Sequence, residues 1–275
     1  MPLRINSNIA SLTAQRFLEK NQRQVEDSFK ALSSGSRLAT PQNDAAGFAI
    51  SELLRAQVAG FDQSGRNTRT AAAMVQTAEG GLNEQNNILV RMRELAVNSA
   101  SDTIGDKERG FINEEFQLLI SEFDRIAKST RFGSKNLLTG TGEEFQFQVG
   151  PNKGEENTIR FTLDADTTSD NVGIGGLSIS DKGDAVSALE SIDEAVSKVA
   201  GVRSRLGGVQ SRFRYAADNL DAQKENVEYA RSLIADVDVA EETSKLSRAQ
   251  VLQESGMAVL TQANMAPTKL MKLIG

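Results

Sequence analysis

Four pairs of adjacent glutamates, Glu114-Glu115, Glu143-Glu144, Glu155-Glu156 and Glu241-Glu242, supply the residue type that acid–base catalysis and divalent-cation binding require. Their spacing argues against both. Neighbours on a helix project about 100° apart, so the two carboxylates of a pair do not converge on one ligand. The expected role is a charged, solvated face. Two glycine pairs, Gly80-Gly81 and Gly207-Gly208, are followed by no Gly-Lys-Ser or Gly-Lys-Thr, so neither makes a phosphate loop. They sit inside helical patterns at a cost of ~1 kcal/mol each and mark a close helix approach or a bend. The sequence contains no His and no Cys. Zinc sites of the Cys or His type, haem, iron–sulfur clusters, Cys nucleophiles, Ser-His-Asp triads and disulfides are thereby excluded. No carboxylate or lysine constellation stands out, so no catalytic residue, metal or cofactor is expected, and the chain does not read as an enzyme.

The composition suits long helices. Of 275 residues, 39% are hydrophobic and 25% charged, lean in apolar content but above the disordered range. Aromatics are 5%, Trp is absent and Pro occurs four times. A net charge of −6 and a pI near 5.0 make nucleic acid an unexpected partner. No run of 18 apolar residues exists, so no membrane span is expected. The opening Met1-Pro2-Leu3-Arg4-Ile5-Asn6 lacks the basic and apolar regions of a cleaved signal, which leaves the cytoplasm or export by another route.

The dominant pattern is a 3-4 spacing of apolar residues. Positions 50, 54, 57, 61, 64, 68, 71, 75, 78, 82, 85, 89, 92 and 96 hold one register, and ten of the fourteen are apolar. As one helix this run is about 70 Å long, and its narrow seam demands a partner. The partner lies downstream. Positions 185, 192, 199, 206, 213, 220, 227 and 234 are Ala, Ile, Val, Leu, Phe, Leu, Val and Ile. The adjacent seam at 189, 196, 203, 210, 217, 224 and 231 is mixed, so one side is predicted dry and the other partly wet. Ile112, Phe116, Leu119, Phe123 and Ile126 supply a third, shorter helix. The prediction is a mainly α fold: an elongated antiparallel helical bundle or coiled coil. Segment 139–184 differs, with eight of the 22 glycines and nine acidic residues against three basic. Its alternating runs Phe145–Val149 and Thr158–Leu163 flank Gly150-Pro151-Asn152-Lys153-Gly154, predicting a small β-hairpin in a surface insertion.

The chain ends are helical as well. Leu18, Gln22, Val25, Phe29 and Leu32 keep the step at the front, and Leu246, Ala249, Leu252, Gly256, Val259 and Ala263 at the back. Breaks at Ser33-Ser34-Gly35 and Thr40-Pro41, with Asn43 or Asp44 as a helix cap, and at the acidic patch 236–242 set both ends apart. The expected division is residues 1–42 with 236–275 as paired terminal helices, and 43–235 as the central bundle. Two short helices cannot cover Ile5, Ile9, Leu12, Val251, Val259, Leu260 and Leu270 by pairing with each other alone. Either the ends are disordered in the monomer, or other copies of the chain or a different helical partner cover them.

Six stretches, in order, resemble one known family: Ile5–Asn8, Leu32–Leu38, Asp44–Ile50, Arg91–Val97, Val202–Phe213 and Val251–Asn264. The chain resembles bacterial flagellin, over nearly its whole length except the middle, in a minimal form without large outer domains. The resemblance implies a structural subunit that self-assembles into the helical flagellar filament for swimming motility, secreted by type III export to the extracellular flagellum. The paired ends would form the inner core, with Ile5, Ile9, Leu12, Leu252, Val259, Leu260 and Leu270 as assembly contacts. Implied partners are further copies of the chain, an export chaperone on Leu246–Ile274, and the filament cap and junction proteins. Arg91, Leu95 and Glu115 align with positions that an innate immune receptor of the Toll-like class recognises, although Val90 stands where many recognised members carry Gln. The alternatives are a hook–filament junction protein, which resembles flagellin at its ends, and a secreted helical adaptor. Ser33-Ser34-Gly35 and Gln262-Ala263-Asn264 favour flagellin.

Overall fold

The computed structural model describes residues 7–42, 44–140 and 142–274, with side chains through residue 265. The elements in order are α1 (Ile9–Ser34), α2 (Ala45–Ser99), α3 (Asp106–Ser129), β1 (Arg131–Phe132), β2 (Lys135–Asn136), β3 (Glu144–Gln148), β4 (Thr158–Thr162), α4 (Ser169–Val172), α5 (Lys182–Ala235) and α6 (Val239–Ile274). The fold is mainly α, as predicted. Contacts divide it into two units, residues 1–58 with 226–275, and residues 59–225. Both divisions lie inside α2 and α5. The composition shifts near 43 and 236 coincide with the start of α2 and the end of α5.

In residues 59–225 the predicted seams are the core. From Phe61 to Ala96 every position of the α2 register is buried, and so is every α5 heptad position from Ala185 to Leu220. The second α5 seam is half-buried throughout, at Leu189, Val196, Arg203, Gln210, Ala217 and Lys224, because its polar members keep their charged ends in water. Ion pairs Arg93–Asp193 (2.8 Å), Arg203–Glu79 (3.9 Å) and Lys224–Asp62 (2.8 Å) run along this contact. Residue numbers rise on one helix as they fall on the other, so α2 and α5 are antiparallel. The one large polar side chain sealed into the α2 seam, Gln85, donates from Nε2 to the carbonyls of Phe123 (3.2 Å) and Thr167 (3.1 Å). It pins α2 to α3 and to the chain after β4.

Segment 139–184 departs from the surface insertion expected of it. β3 and β4 pair antiparallel, Phe145 opposite Phe161 and Phe147 opposite Ile159, as the alternation predicted. The segment nonetheless places Phe145, Val149, Ile159, Leu163, Val172, Ile174 and Ile179 in the same core as α2, α3 and α5. Phe213 of α5 meets Phe147 edge-on at 5.6 Å and Phe161 at 6.2 Å. A bundle of three helices leaves one flank of α5 open, and this segment closes it. Gly81 fits the same packing. A Cβ there would stand 2.6 Å from Thr130 Oγ1 and 2.9 Å from Leu138, so it marks a close approach, whereas Gly80, Gly207 and Gly208 face open space.

Arg109, buried in α3, closes the far end of α2. Its guanidinium donates to the carbonyls of Ser99 (2.9 Å) and Ser101 (3.0 Å) and to Asp106 (2.7 Å). These are carbonyls at the negative end of a long helix, which has no intrahelical donor left for them. Arg109→Met is expected to destabilise residues 59–225 by about 2–3 kcal/mol, the cost of leaving buried acceptors unpaired. A lower urea midpoint at unchanged denaturant slope is the result to look for.

Candidate functional site

The pairing of α1 with α6 begins from the caps. Asn8 accepts from Ser11 N–H (3.1 Å) at the start of α1 and donates to the Ala263 carbonyl (2.9 Å), while Ser11 Oγ bonds Asn264 (2.7 Å). Gly35 ends α1 in the left-handed region at φ 68°, where a side chain would be strained. The chain then folds back onto the end of α5. Arg37 N–H donates to the Ala235 carbonyl (2.7 Å), its guanidinium to Ile234 (2.8 Å), and Val237 N–H to Gly35 (3.1 Å). Asp44 caps α2 through Gly47 N–H (2.9 Å), and Asp238 caps α6 through Ala240 (2.9 Å) and Glu241 (3.1 Å). Asn43, the other candidate cap, lies outside the described residues.

The facing stripes keep Leu18, Val25, Leu32, Leu246, Ala249, Gly256 and Ala263 of the residues that hydrophobic spacing selected, but not the rest. On α1 the covered positions are Ser11, Thr13, Ala14, Leu18, Asn21, Val25, Ser28, Ala31 and Leu32; on α6 they are Glu242, Leu246, Ala249, Gln253, Gly256, Leu260 and Ala263. Gln22, Phe29, Leu252 and Val259 turn outward. Small residues win the inner stripe because they let the two backbones approach. A Cβ on Gly256 would lie 3.3 Å from Leu18 Cδ1.

Large apolar side chains are therefore left in solvent. Ile9 is 63% exposed, Leu12 57%, Val259 59% and Leu252 48%, joined by Phe17, Phe29, Val251 and Met257. Leu260 is half-buried on the stripe facing α1. Ile5 and the Leu270 side chain lie outside the described residues. Phe17 and Met257 were not anticipated, because they stand outside both 3-4 registers. Glu114, Glu115, Glu143, Glu144, Glu155, Glu156 and Glu241 are all exposed, and Glu242 pairs with Lys245 at 3.4 Å.

Arg91, Leu95 and Glu115 form a second, separate set in residues 59–225. Arg91 donates to Glu115 from Nε (3.0 Å) and Nη2 (2.8 Å), and to Glu94 from Nη1 (3.0 Å). The bond to Glu115 is the main reason the Arg91 guanidinium is held above its ordinary value. Arg91 and Glu115 are exposed, whereas Leu95 is only 5% exposed and belongs to the core.

Comparison with known proteins matches the same two ends of the chain. Residues 5–143 match the bacterial flagellin N-terminal helical region, and residues 189–274 the bacterial flagellin C-terminal helical region. The chain is 39% identical over 270 residues to a flagellin of Halalkalibacterium halodurans, covering 98% of this chain and 99% of that one. It is 36% identical to a flagellar filament core protein of Brachyspira hyodysenteriae, over 98% and 99% of the two chains. Among solved structures, Bacillus cereus flagellin superposes with a TM-score of 0.51 at 26% identity, over 56% of this chain and 88% of that one.

Proposed function

The chain belongs to the bacterial flagellin family, and from that premise we propose that its exposed terminal helices are the surface through which copies join into a filament. The family is structural, not enzymatic, and the protein is a subunit of the extracellular flagellar filament that serves motility. One observation carries the contact assignment: α1 and α6 cover each other along one stripe of each helix and leave Ile9, Leu12, Leu252 and Val259 in water. A soluble monomer gains nothing from that arrangement, and a subunit whose neighbours cover the same residues gains the burial on assembly. The inner-core contacts are Ile5, Ile9, Leu12, Leu252, Val259, Leu260 and Leu270. A contact that joins unlike faces repeats without closing and builds a helical tube. Growth of long tubes from sheared filament seeds, viewed by negative-stain electron microscopy, is the expected result. Protein that stays monomeric with seeds would return the weight to a junction protein or an adaptor.

The subunit is exported unfolded through the flagellar type III apparatus, with a chaperone masking Leu246–Ile274. Loss of co-purification on deleting that stretch checks the chaperone contact. Cap and junction proteins meet the same terminal helices at the two ends of the filament, and Leu252→Asp is expected to abolish capture by both. The Arg91–Glu115 pair is the exposed element that an innate immune receptor of the Toll-like class contacts, with Leu95 supporting it from below. Arg91→Ala is expected to lower receptor signalling by about tenfold, the scale of one lost charge-assisted bond, with filament growth unchanged. Unaltered signalling would remove these residues from the contact.

A further inference from the structure

Residues 195–217 of α5 carry five basic residues, Lys198, Arg203, Arg205, Arg212 and Arg214, and no acidic one. Arg214 and Arg69 of α2 line one groove of about 420 Å³ between the two helices, with Thr68, Gln210 and Ser211 beside them and Phe213 at its base. No carboxylate of the described residues pairs with either guanidinium. Arg69 donates to the Gly65 carbonyl (3.1 Å), and Arg214 lies over the Tyr215 ring at 5.5 Å. Asp62, two helical turns before Arg69, is engaged by Lys224 at 2.8 Å, and Arg69 acts on it only at longer range. The Thr68 hydroxyl is spent on the Ser64 carbonyl (2.8 Å), so the two guanidinium groups, which have no carboxylate within ion-pair distance, are what the groove offers to carboxylates.

The opposite charge stands elsewhere on the same unit. Between Thr162 and Asp181 the sequence has four acidic residues and no basic one. At the open end of the β3–β4 hairpin, Glu144 and Asp164 are exposed and have no ion-pair partner among the described residues, while Glu143 is held by Lys135 at 2.5 Å. The hairpin register puts Glu144 opposite Thr162, so Glu144 and Asp164 share that end.

We propose that the Arg69–Arg214 groove of one copy receives the Glu144 and Asp164 carboxylates of a second copy. This inference rests on the filament reading and names a charged contact outside the terminal helices. The two faces are different, so the contact is heterologous and propagates.

The test is a charge swap in seeded growth. One variant carries Arg69→Glu with Arg214→Glu, the other Glu144→Lys with Asp164→Lys, and both are first checked for wild-type helicity and urea midpoint. Arg69→Gln with Arg214→Gln replaces the first if it does not fold. Each variant alone opposes like charges and is expected to extend wild-type seeds at least ~10-fold more slowly. A single chain carrying all four reversals restores opposite charges at every contact and is expected to recover growth. Wild-type growth is expected to slow as salt rises, because exposed charges are screened beyond ~8 Å at physiological ionic strength. Variants that grow at the wild-type rate overturn the contact and leave the filament reading intact. A fourfold variant as slow as the two double variants shows that these two faces do not meet. Loss of inorganic polyphosphate binding with normal growth assigns the groove to an anionic polymer and overturns self-docking. Wild-type protein that ignores seeds overturns the filament reading itself.

Discussion

Val259→Asp is expected to abolish seeded filament growth while the monomer keeps its helicity and unfolding midpoint. Val259 is 59% exposed on the outer side of α6, so an aspartate there stays hydrated and costs the monomer little. In a filament the same carboxylate is taken out of water without a partner, a penalty of several kcal/mol at every subunit. Leu260→Asp is expected to stop growth too, by a different route. Leu260 is half-buried on the stripe that faces α1, so the carboxylate also loosens the pairing of the two terminal helices. Residues 59–225 remain folded in both cases. Circular dichroism and electron microscopy on the pair separate the two effects. Normal tubes from Val259→Asp would remove the outer face of α6 from the subunit contact.

Phe213→Ala is expected to be the most damaging single substitution in residues 59–225, at about 3–5 kcal/mol by the scale of buried Phe truncations. Phe213 is completely buried and meets the rings of both Phe147 and Phe161 edge-on. Its loss opens a cavity between α5 and the β3–β4 hairpin, where the helix surface offers nothing to collapse into it. The hairpin then loosens before the helices do. Cleavage by trypsin after the exposed Lys153 in the hairpin turn is expected to accelerate in parallel with the drop in urea midpoint. Phe213→Leu, which keeps most of the volume, is expected to recover at least half of the loss. Equal midpoints for Phe213→Ala and the wild type would show that the aromatic contacts do not anchor the hairpin.

The two predictions mark where sequence reading succeeds and where it stops. The α2 and α5 seams were legible because one apolar residue every 3.5 positions can be satisfied only by a facing helix. Phe61 to Ala96 and Ala185 to Leu220 accordingly form the core. The hairpin was legible as well, since alternation around Gly150-Pro151-Asn152-Lys153-Gly154 has one simple solution. Its depth was not. Glycine and acidic content suggested a surface excursion, yet the alternate residues Phe145, Ile159 and Leu163 close the bundle core. Composition averages over a strand whose two faces have opposite fates.

The terminal helices and the charged surfaces divide in the same way. Residue types alone excluded His- and Cys-based chemistry and pointed to a helical chain whose ends seek a cover from further copies or another partner, because absent side chains cannot act and unburied apolar ones need a cover. The choice of stripe between α1 and α6 belonged to the tertiary structure. Two helices approach along the side where Ser11, Ala14, Gly256 and Ala263 permit it, and this rotates Phe29, Leu252 and Val259 outward. Leu95 and Arg91 show the same limit on a smaller scale. Four residues apart on one helix, one is sealed in the core and the other reaches Glu115. The meeting of Arg69 with Arg214 across a groove likewise came only from the antiparallel packing of α2 on α5. Periodicity records which residues seek cover; the steric fit between whole helices decides which of them find it within one chain and which must find it in another.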